Sequence, residues 1–500
     1  MLQLKNIEIS LKKSGKNIIE NLNYTLQKGV KCAVIGEEGD GKSTVLKFIN
    51  NPHSISDYCE CSGQVINNGV TAYLPQFPEE EQFDLSVAEF LCDLKIYDNI
   101  RLMQGMKLTS ELLYSDRKMR TLSGGERIKV RLFKLLCENP DVLLLDEPSN
   151  DIDYNSLLWL KDFLKNCKLS VLFVSHDRVL LEAVAENVIH IEQLIKKTQC
   201  KVTVFQGGYE DYLSFRELNY GRQTQIALKQ REEYEKRYKR WQQIYERVKH
   251  EQNSISRQDP AGGRLLKKKM KSVISQKERF EKDKDSFFDI PDKENAIITF
   301  FPSDVTVPNG KTILDFKSDK LTVGEKLLAT DIALKVVGGA KVAILGENGA
   351  GKTTLLKTIW QSLQGRKDIK CSYMPQEYPD ALDFNSTPLA YLSPYGENIP
   401  IIRQYLGNLN FMPDEMIAKI GSLSGGQQAK IIYLKMVLDK CNVLILDEPT
   451  RNFSPMSAPV VCTALKNFGG AIISVSHDLK YVEDVCDKVY MLKDKKLTEL

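Results

Sequence analysis

The sequence predicts an α/β protein built twice, with a long helical hairpin between the two copies. Three observations carry that reading. Five motif pairs recur in one order, short aliphatic runs alternate with helical patterns in each copy, and a heptad stripe flanks both sides of a proline–glycine breaker. The first pair is GEEGDGKST (Gly36 to Thr44) and GENGAGKTT (Gly346 to Thr354); the second is Gln76 after YLP and Gln376 after YMP. LSGGE from Leu122 pairs with LSGGQ from Leu423, LLLDEPS from Leu143 with LILDEPT from Leu444, and VSHD around His176 with VSHD around His477. From the glutamines onward the offset is 300 or 301 positions, but from Gly36 to Gly346 it is 310. The first copy therefore carries extra chain between its loop and its glutamine.

Composition bounds the rest. With 500 residues, 42% hydrophobic and 27% charged, the chain suits several globular domains and excludes wholesale disorder. Mean hydropathy is −0.30, and no long uncharged apolar run occurs, so no membrane span is expected. Lys5 and Glu8 fall where a secretory signal would need apolar residues, which points to the cytoplasm. The 11 cysteines are scattered without a CxxC pair, as expected of reduced thiols rather than disulfides or a zinc site.

Each copy opens as strand, loop and helix: Ala33-Val34-Ile35 and Val342 to Leu345 lead into the glycine loops. Gly36, Gly39 and Gly41, with Gly346, Gly349 and Gly351, let the chain curl so that its amides face phosphate oxygens. Lys42 and Lys352 then reach the β- and γ-phosphates, and the Ser43 and Thr353 hydroxyls ligate Mg²⁺. Thr44, Asn348 and Thr354 complete the two nucleotide loops. The next aliphatic runs end at Asp146 and Asp447, where a carboxylate can hold Mg²⁺ through its waters. Glu147 and Glu448 follow, placed to orient or deprotonate the attacking water. His176 and His477 end the following runs as γ-phosphate sensors, and Gln76 and Gln376 are candidates to touch the metal and the water.

Between the copies, Tyr234, Tyr238, Trp241, Tyr245 and Val248 keep a 4,3,4,3 spacing. Beyond the breaker Asp259 to Gly263, Leu266, Met270, Val273 and Phe280 keep the same beat, with Lys277 in the missing slot. Two antiparallel helices zipped along one seam are expected, with arms Tyr234 to Asn253 and Arg264 to Asp285 of roughly 30 Å each. Residues 216–290 hold 20 Lys and Arg against 12 Asp and Glu, in a chain whose overall charge is only +3. A basic hairpin in an otherwise acidic protein predicts a polyanionic partner, with Arg257, Arg264, Lys267, Lys268, Lys269 and Lys271 as its candidate contacts, which the resemblance named below implies to be RNA contacts.

Taken together, the glycine loops, glutamines, LSGG strings, DE pairs and histidines resemble the ATP-binding cassette ATPases. The implied layout is two tandem cassette domains, 1–215 and 291–500, joined by a helical hairpin linker, 216–290. In that superfamily the cassettes pair head to tail, so each ATP lies between one glycine loop and the other cassette's LSGG signature. By that resemblance one site combines Lys42, Ser43, Gln76, Asp146, Glu147 and His176 with Ser424, Gly426 and Gln427. The other combines Lys352, Thr353, Gln376, Asp447, Glu448 and His477 with Ser123, Gly125 and Glu126.

Two fused cassettes, a charged linker, DEPSNDID from Asp146 and the Gly207 to Tyr212 stretch resemble the ABC-F subfamily of translation factors. The linker string ISRQDPAGGRLLKKKM, from Ile255, is similar to the tip of its antibiotic-resistance, ribosome-protection members. The resemblance implies an ATPase using ATP and Mg²⁺, acting on the bacterial 70S ribosome near the peptidyl-transferase centre of 23S rRNA and on peptidyl-site tRNA. It implies a monomer with intramolecular cassette pairing, and neither a membrane nor DNA as partner. A housekeeping ABC-F translation regulator is the alternative; a transporter subunit leaves the basic hairpin unexplained, and a DNA-repair ATPase of the cassette type would carry zinc modules or very long coiled coils, which the sequence does not show. Two departures stand out. Glu38 and Asp40 replace the neutral residues seen at Asn348 and Ala350, and Phe453, Ser454 and Pro455 replace the usual acidic loop end. They predict unequal turnover at the two sites, with the first slower. No aromatic stands near Ser10 to Lys12 or Lys320 to Thr322 to stack a base, so weak base discrimination is expected.

Overall fold

The computed structural model describes residues 1–94, 96–150, 152–194, 199–254, 260–284, 305–324, 326–395 and 398–500. Each cassette is built on a six-stranded sheet. In the first the order is Thr71–Leu74, Val142–Asp146, Ser170–Val174, Lys31–Gly36, Asn187–Leu194, Gln199–Gln206; only the last strand runs antiparallel. The second repeats it with Cys371–Met374, Val443–Asp447, Ala471–Val475, Lys341–Gly346, Lys488–Lys493 and Lys496–Glu499. Strands covered on both faces have no polar side to show. Accordingly Val142–Asp146 and Val443–Asp447 are buried at every position.

A smaller antiparallel sheet accompanies each core, and here the copies differ. In the first, Leu2–Leu11 lies between Asn17–Leu26 and Cys59–Asn67; in the second, among the described residues, Thr312–Val323 pairs with Lys326–Val337 alone. The extra chain before Gln76 is thus a third strand of 9 residues. The helices Lys42–Asn50 and Lys352–Leu363 start from Gly41 (φ 91°) and Gly351 (φ 101°), left-handed positions that favour glycine. At Gly351 a Cβ would also meet the Leu328 side chain at 2.9 Å.

Residues 210–293 form a separate compact unit. Its helices are Tyr209–Ser254, 46 residues and about 70 Å long, and Pro260–Lys284. The first starts ahead of the expected linker boundary, because the run from Tyr209 to Tyr220 contains neither Gly nor Pro to stop it. The second starts at Pro260, not Arg264: proline's fixed φ suits a first helical turn, so the expected breaker lies partly inside the helix. Along the seam Trp241, Val248 and Val273 are buried, and the Trp241 indole Nε1 donates to the Val273 carbonyl at 2.7 Å. Tyr234 meets Phe280 edge-on at 6.2 Å, while Tyr234, Tyr238, Trp241 and Tyr245 follow one another as neighbouring rings. Arg264, Lys267, Lys268, Lys269 and Lys271 are exposed. Arg257 and the expected arm end at Asp285 lie outside the described residues. No described helix is long and apolar enough to cross a membrane. All eleven cysteines are free.

Candidate nucleotide sites

The two glycine loops fold alike. Lys42 Nζ donates to the carbonyls of Gly36 (3.0 Å) and Glu37 (2.8 Å), and Lys352 Nζ to those of Gly346 and Glu347 (2.8 Å each). Ser43 Oγ donates to Asp146 Oδ1 at 2.9 Å, and the Tyr73 hydroxyl reaches Asp146 Oδ2 at 3.3 Å. Thr353 bonds Asp447, whose Oδ2 is buried without a hydrogen-bond partner. Burial raises the pKa of both aspartates, against the lowering effect of those hydroxyls. A hydroxyl beside a strand-end carboxylate, with a desolvated oxygen left over, is an oxygen-donor set that suits a hard divalent cation such as Mg²⁺.

Glu147 (φ 48°) and Glu448 (φ 54°) sit on left-handed backbone, a conformation that costs a bulky residue about 1 kcal/mol or more. Their amides are pinned to the carbonyls of Val174 (3.0 Å) and Val475 (2.9 Å), which turns the carboxyls into the sites. Each accepts the backbone N–H of its histidine at 3.1 Å, His176 for Glu147 and His477 for Glu448. The imidazole Nε2 atoms stand 3.2 Å and 3.7 Å from the other carboxyl oxygens. Burial pushes Glu147 up to about 8 and Glu448 up to about 7, into the range suited to taking a proton. Burial, with Lys42 and Lys352 adding to it, pushes His176 down to about 3 and His477 down to about 4. The histidine–glutamate contacts are therefore between neutral imidazoles and carboxyls, not ion pairs.

The cassettes meet differently at the two loops. At the first, Gly426 N donates to Glu38 Oε2 at 2.9 Å, and the Ser457 hydroxyl donates to Glu37 Oε1 at 2.6 Å, joined there by Ser454. Burial opposes a charge on Glu37, but Lys430 and the two serines outweigh it and hold its pKa below the usual value. The backbone of Phe453 reaches His176. Ser424 and Gln427 cap the helix Gly425–Leu438 that carries Gly426.

At the second loop a cavity of about 570 Å³ opens, lined by Asn348, Gly349, Gly351, Lys352, Thr353, Thr354, Gln376, Asp447, Glu448 and His477. The first cassette contributes Asn150, Asp153, Tyr154 and His176 to its wall. Ser123, Gly125 and Glu126 are not among the described residues that line it. Ser123 N donates to Glu126 Oε2 (2.9 Å) in a capping box, and Arg117 pairs with Glu126 at 3.1 Å. Gln76 lines a separate small cavity with Asp146 and Glu147.

Several participants escaped the sequence reading. Asp153 favours the charged forms of Lys352 and His477 from the other cassette. Asp177 and Asp478, one residue past the histidines, cap helices Arg178–Val184 and Leu479–Val485. Across the interface Lys480 pairs with Glu182 (2.9 Å) and Arg178 with Asp484 (3.8 Å). The repeated SHD string was the available signal; its aspartate was not read as a cap.

The sequence matches the family described as ABC transporter over residues 19–150 and 329–451. The chain belongs to that ATP-binding cassette family. ABC transporter F family member 2 of Arabidopsis thaliana is 26% identical, over 99% of this chain and 76% of its own length. Ribosome protection protein VmlR of Bacillus subtilis is 29% identical, over 97% of this chain and 85% of its own. Among solved structures, the complex of archaeal ribosomal stalk protein aP1 with the archaeal ribosome recycling factor aABCE1 aligns with a TM-score of 0.59 at 16% identity, covering 97% of this chain and 87% of that one. That likeness is one of fold. The protein is thus a two-cassette ATPase with F-family relatives, and its nucleotide is ATP.

Proposed function

We propose that this cassette ATPase is a ribosome-binding factor that enters the tRNA exit site and uses its hairpin to displace antibiotic from the peptidyl-transferase region. The observation that carries the reading is the hairpin's run of exposed cations, Arg264, Lys267, Lys268, Lys269 and Lys271, in a chain that is acidic elsewhere. Such a run matches the phosphates of 23S rRNA and peptidyl-site tRNA. The likeness to a relative named for ribosome protection supports the same direction.

Two composite ATP sites would gate the binding. Lys42 and Lys352 leave their own loop carbonyls to meet phosphate oxygens, and the loop amides complete the cradle. Ser43 and Asp146 at one site, and Thr353 and Asp447 at the other, with Gln76 and Gln376 nearby, would hold Mg²⁺, which would supply neutralisation of phosphate charge. Glu147 and Glu448 take the proton of the attacking water, and the neutral imidazoles of His176 and His477 present hydrogen bonds toward the γ-phosphate. Signature residues Ser424, Gly426 and Gln427, or Ser123, Gly125 and Glu126, close each site from the opposite cassette. ATP then links the cassettes and hydrolysis unlinks them.

The test is ribosome pelleting with the Glu147→Gln/Glu448→Gln double variant. Retention in the 70S fraction with ATP supports the reading, and its absence there overturns it. A growth panel comparing the whole gene with one lacking Ser254 to Gly263 then isolates drug displacement. Loss of tolerance on deletion is expected; equal tolerance removes the tip as effector. Ribosome binding without tolerance to any ribosomal drug favours general translation regulation.

A further inference from the structure

We infer that Glu38 is a built-in substitute for a terminal phosphate, so that the first site accepts a nucleoside diphosphate and discriminates against ATP, leaving the triphosphate to the second site. This rests on the composite-site reading above and departs from it at the first site, which it assigns to a diphosphate in place of ATP. The amide of Gly426 lies in the first turn of the helix Gly425–Leu438, where backbone N–H groups and the positive end of the helix favour an anion. In the composite site proposed above, that amide belongs to the signature that closes the first glycine loop from the opposite cassette. Here its acceptor is the Glu38 carboxylate, at 2.9 Å, projected from the glycine loop across the interface. The contact joins the same two surfaces that a bound triphosphate would join.

The neighbouring residues reinforce the exchange. Asp40 Oδ2 accepts the Glu37 amide at 2.7 Å, so part of the loop's hydrogen-bonding capacity is already spent on its own carboxylate. Glu37 is bound by Ser454 and Ser457 of the opposing loop. A γ-phosphate entering here must displace Glu38 from Gly426 and sit among three carboxyl side chains. The groups that hold the inner phosphates are intact: Lys42, Ser43 and the glycines at 39 and 41. The second loop carries Asn348 and Ala350 at the matching positions, and the cavity of about 570 Å³ lies beside it. Its signature residues, Ser123, Gly125 and Glu126, are not among the described residues that line that cavity.

Equilibrium binding to the full chain with Mg²⁺ tests this, using the non-hydrolysable β,γ-imido analogue of ATP and, separately, ADP. The wild type is expected to bind one analogue per chain, lost in Lys352→Ala and kept in Lys42→Ala, and to bind ADP at an additional site lost in Lys42→Ala. Glu38→Asn, copying Asn348, should admit a second analogue with a gain of at least about tenfold in first-site affinity. Glu38→Gln, which keeps the acceptor and removes the charge, should fall between. Undiminished binding at the Lys352 site shows that the Glu38 variants are folded. Two analogues of similar affinity on the wild type, or no second analogue on Glu38→Asn, overturns the inference while the composite sites stand. If neither lysine variant lowers binding, the composite-site reading fails and this inference with it.

Discussion

Glu147 and Glu448 share backbone conformation, burial and histidine partner, so a difference in their use must come from what surrounds them. The first faces a loop engaged by Glu37 and Glu38, the second an open chamber. We therefore expect Glu448→Gln to lower steady-state phosphate release by about 10²-fold or more, and Glu147→Gln to change it by less than about threefold. Equal losses from the two single variants would refute the asymmetry. Asp177 offers a prediction of a different kind. Burial pushes its pKa up to about 6, with Asp478 adding to the rise and the amides of Leu180 and Val179 opposing it. Since the folded value lies above the unfolded one, its contribution is full below pH 4 and is lost as pH rises through about 6. Asp177→Asn keeps an N-cap acceptor without the charge, so at pH 7.5 it should be more stable than the wild type by as much as about 3 kcal/mol. Urea melts at pH 5 and 7.5 check this, and a gap that does not widen with pH counts against it. The lysines, aspartates, glutamates and histidines were legible because each ends a strand or opens a helix at a fixed place in a repeated string. The partner of Glu38 was not, since Gly426 lies 388 positions away.

Among the elements, the hairpin was legible where side chains set the pattern and misread where backbone did. The 4,3 spacing named the seam of Trp241, Val248 and Val273 because burial selects apolar residues on one helical face. Pro260 read as a breaker although it begins a helix, where its missing N–H costs nothing. The strand Cys59–Asn67 went unread because it is mostly exposed, so neither an aliphatic run nor a strict alternation marks it. On the second hairpin helix, Lys267, Lys268, Lys269 and Lys271 all face solvent. Replacing the four with Gln should weaken ribosome binding and flatten its dependence on salt, by up to about one unit of log–log slope for each phosphate that a lysine no longer neutralises. Binding measured from low to physiological salt checks this. An unchanged slope would mean that these lysines meet no phosphate.

For the whole protein, the duplicated α/β architecture followed directly from the matched strings, because four of the five follow or end a strand of the core sheet and the fifth, LSGG, caps a helix. What duplication conceals is divergence, and the stretch Phe453 to Ser457 shows its reach. Its backbone touches His176, its serines hold Glu37, and the Pro455 carbonyl accepts the buried Tyr209 hydroxyl at 3.1 Å. Tyr209 is the residue from which the 46-residue helix departs. Tyr209→Phe should leave basal ATP turnover intact and abolish most of any stimulation by ribosomes, read as phosphate release with and without them. Stimulation that persists undiminished would show the hydroxyl to be a stability element only. One five-residue bend thus fastens Tyr209 and the wall of one phosphate pocket at the same time.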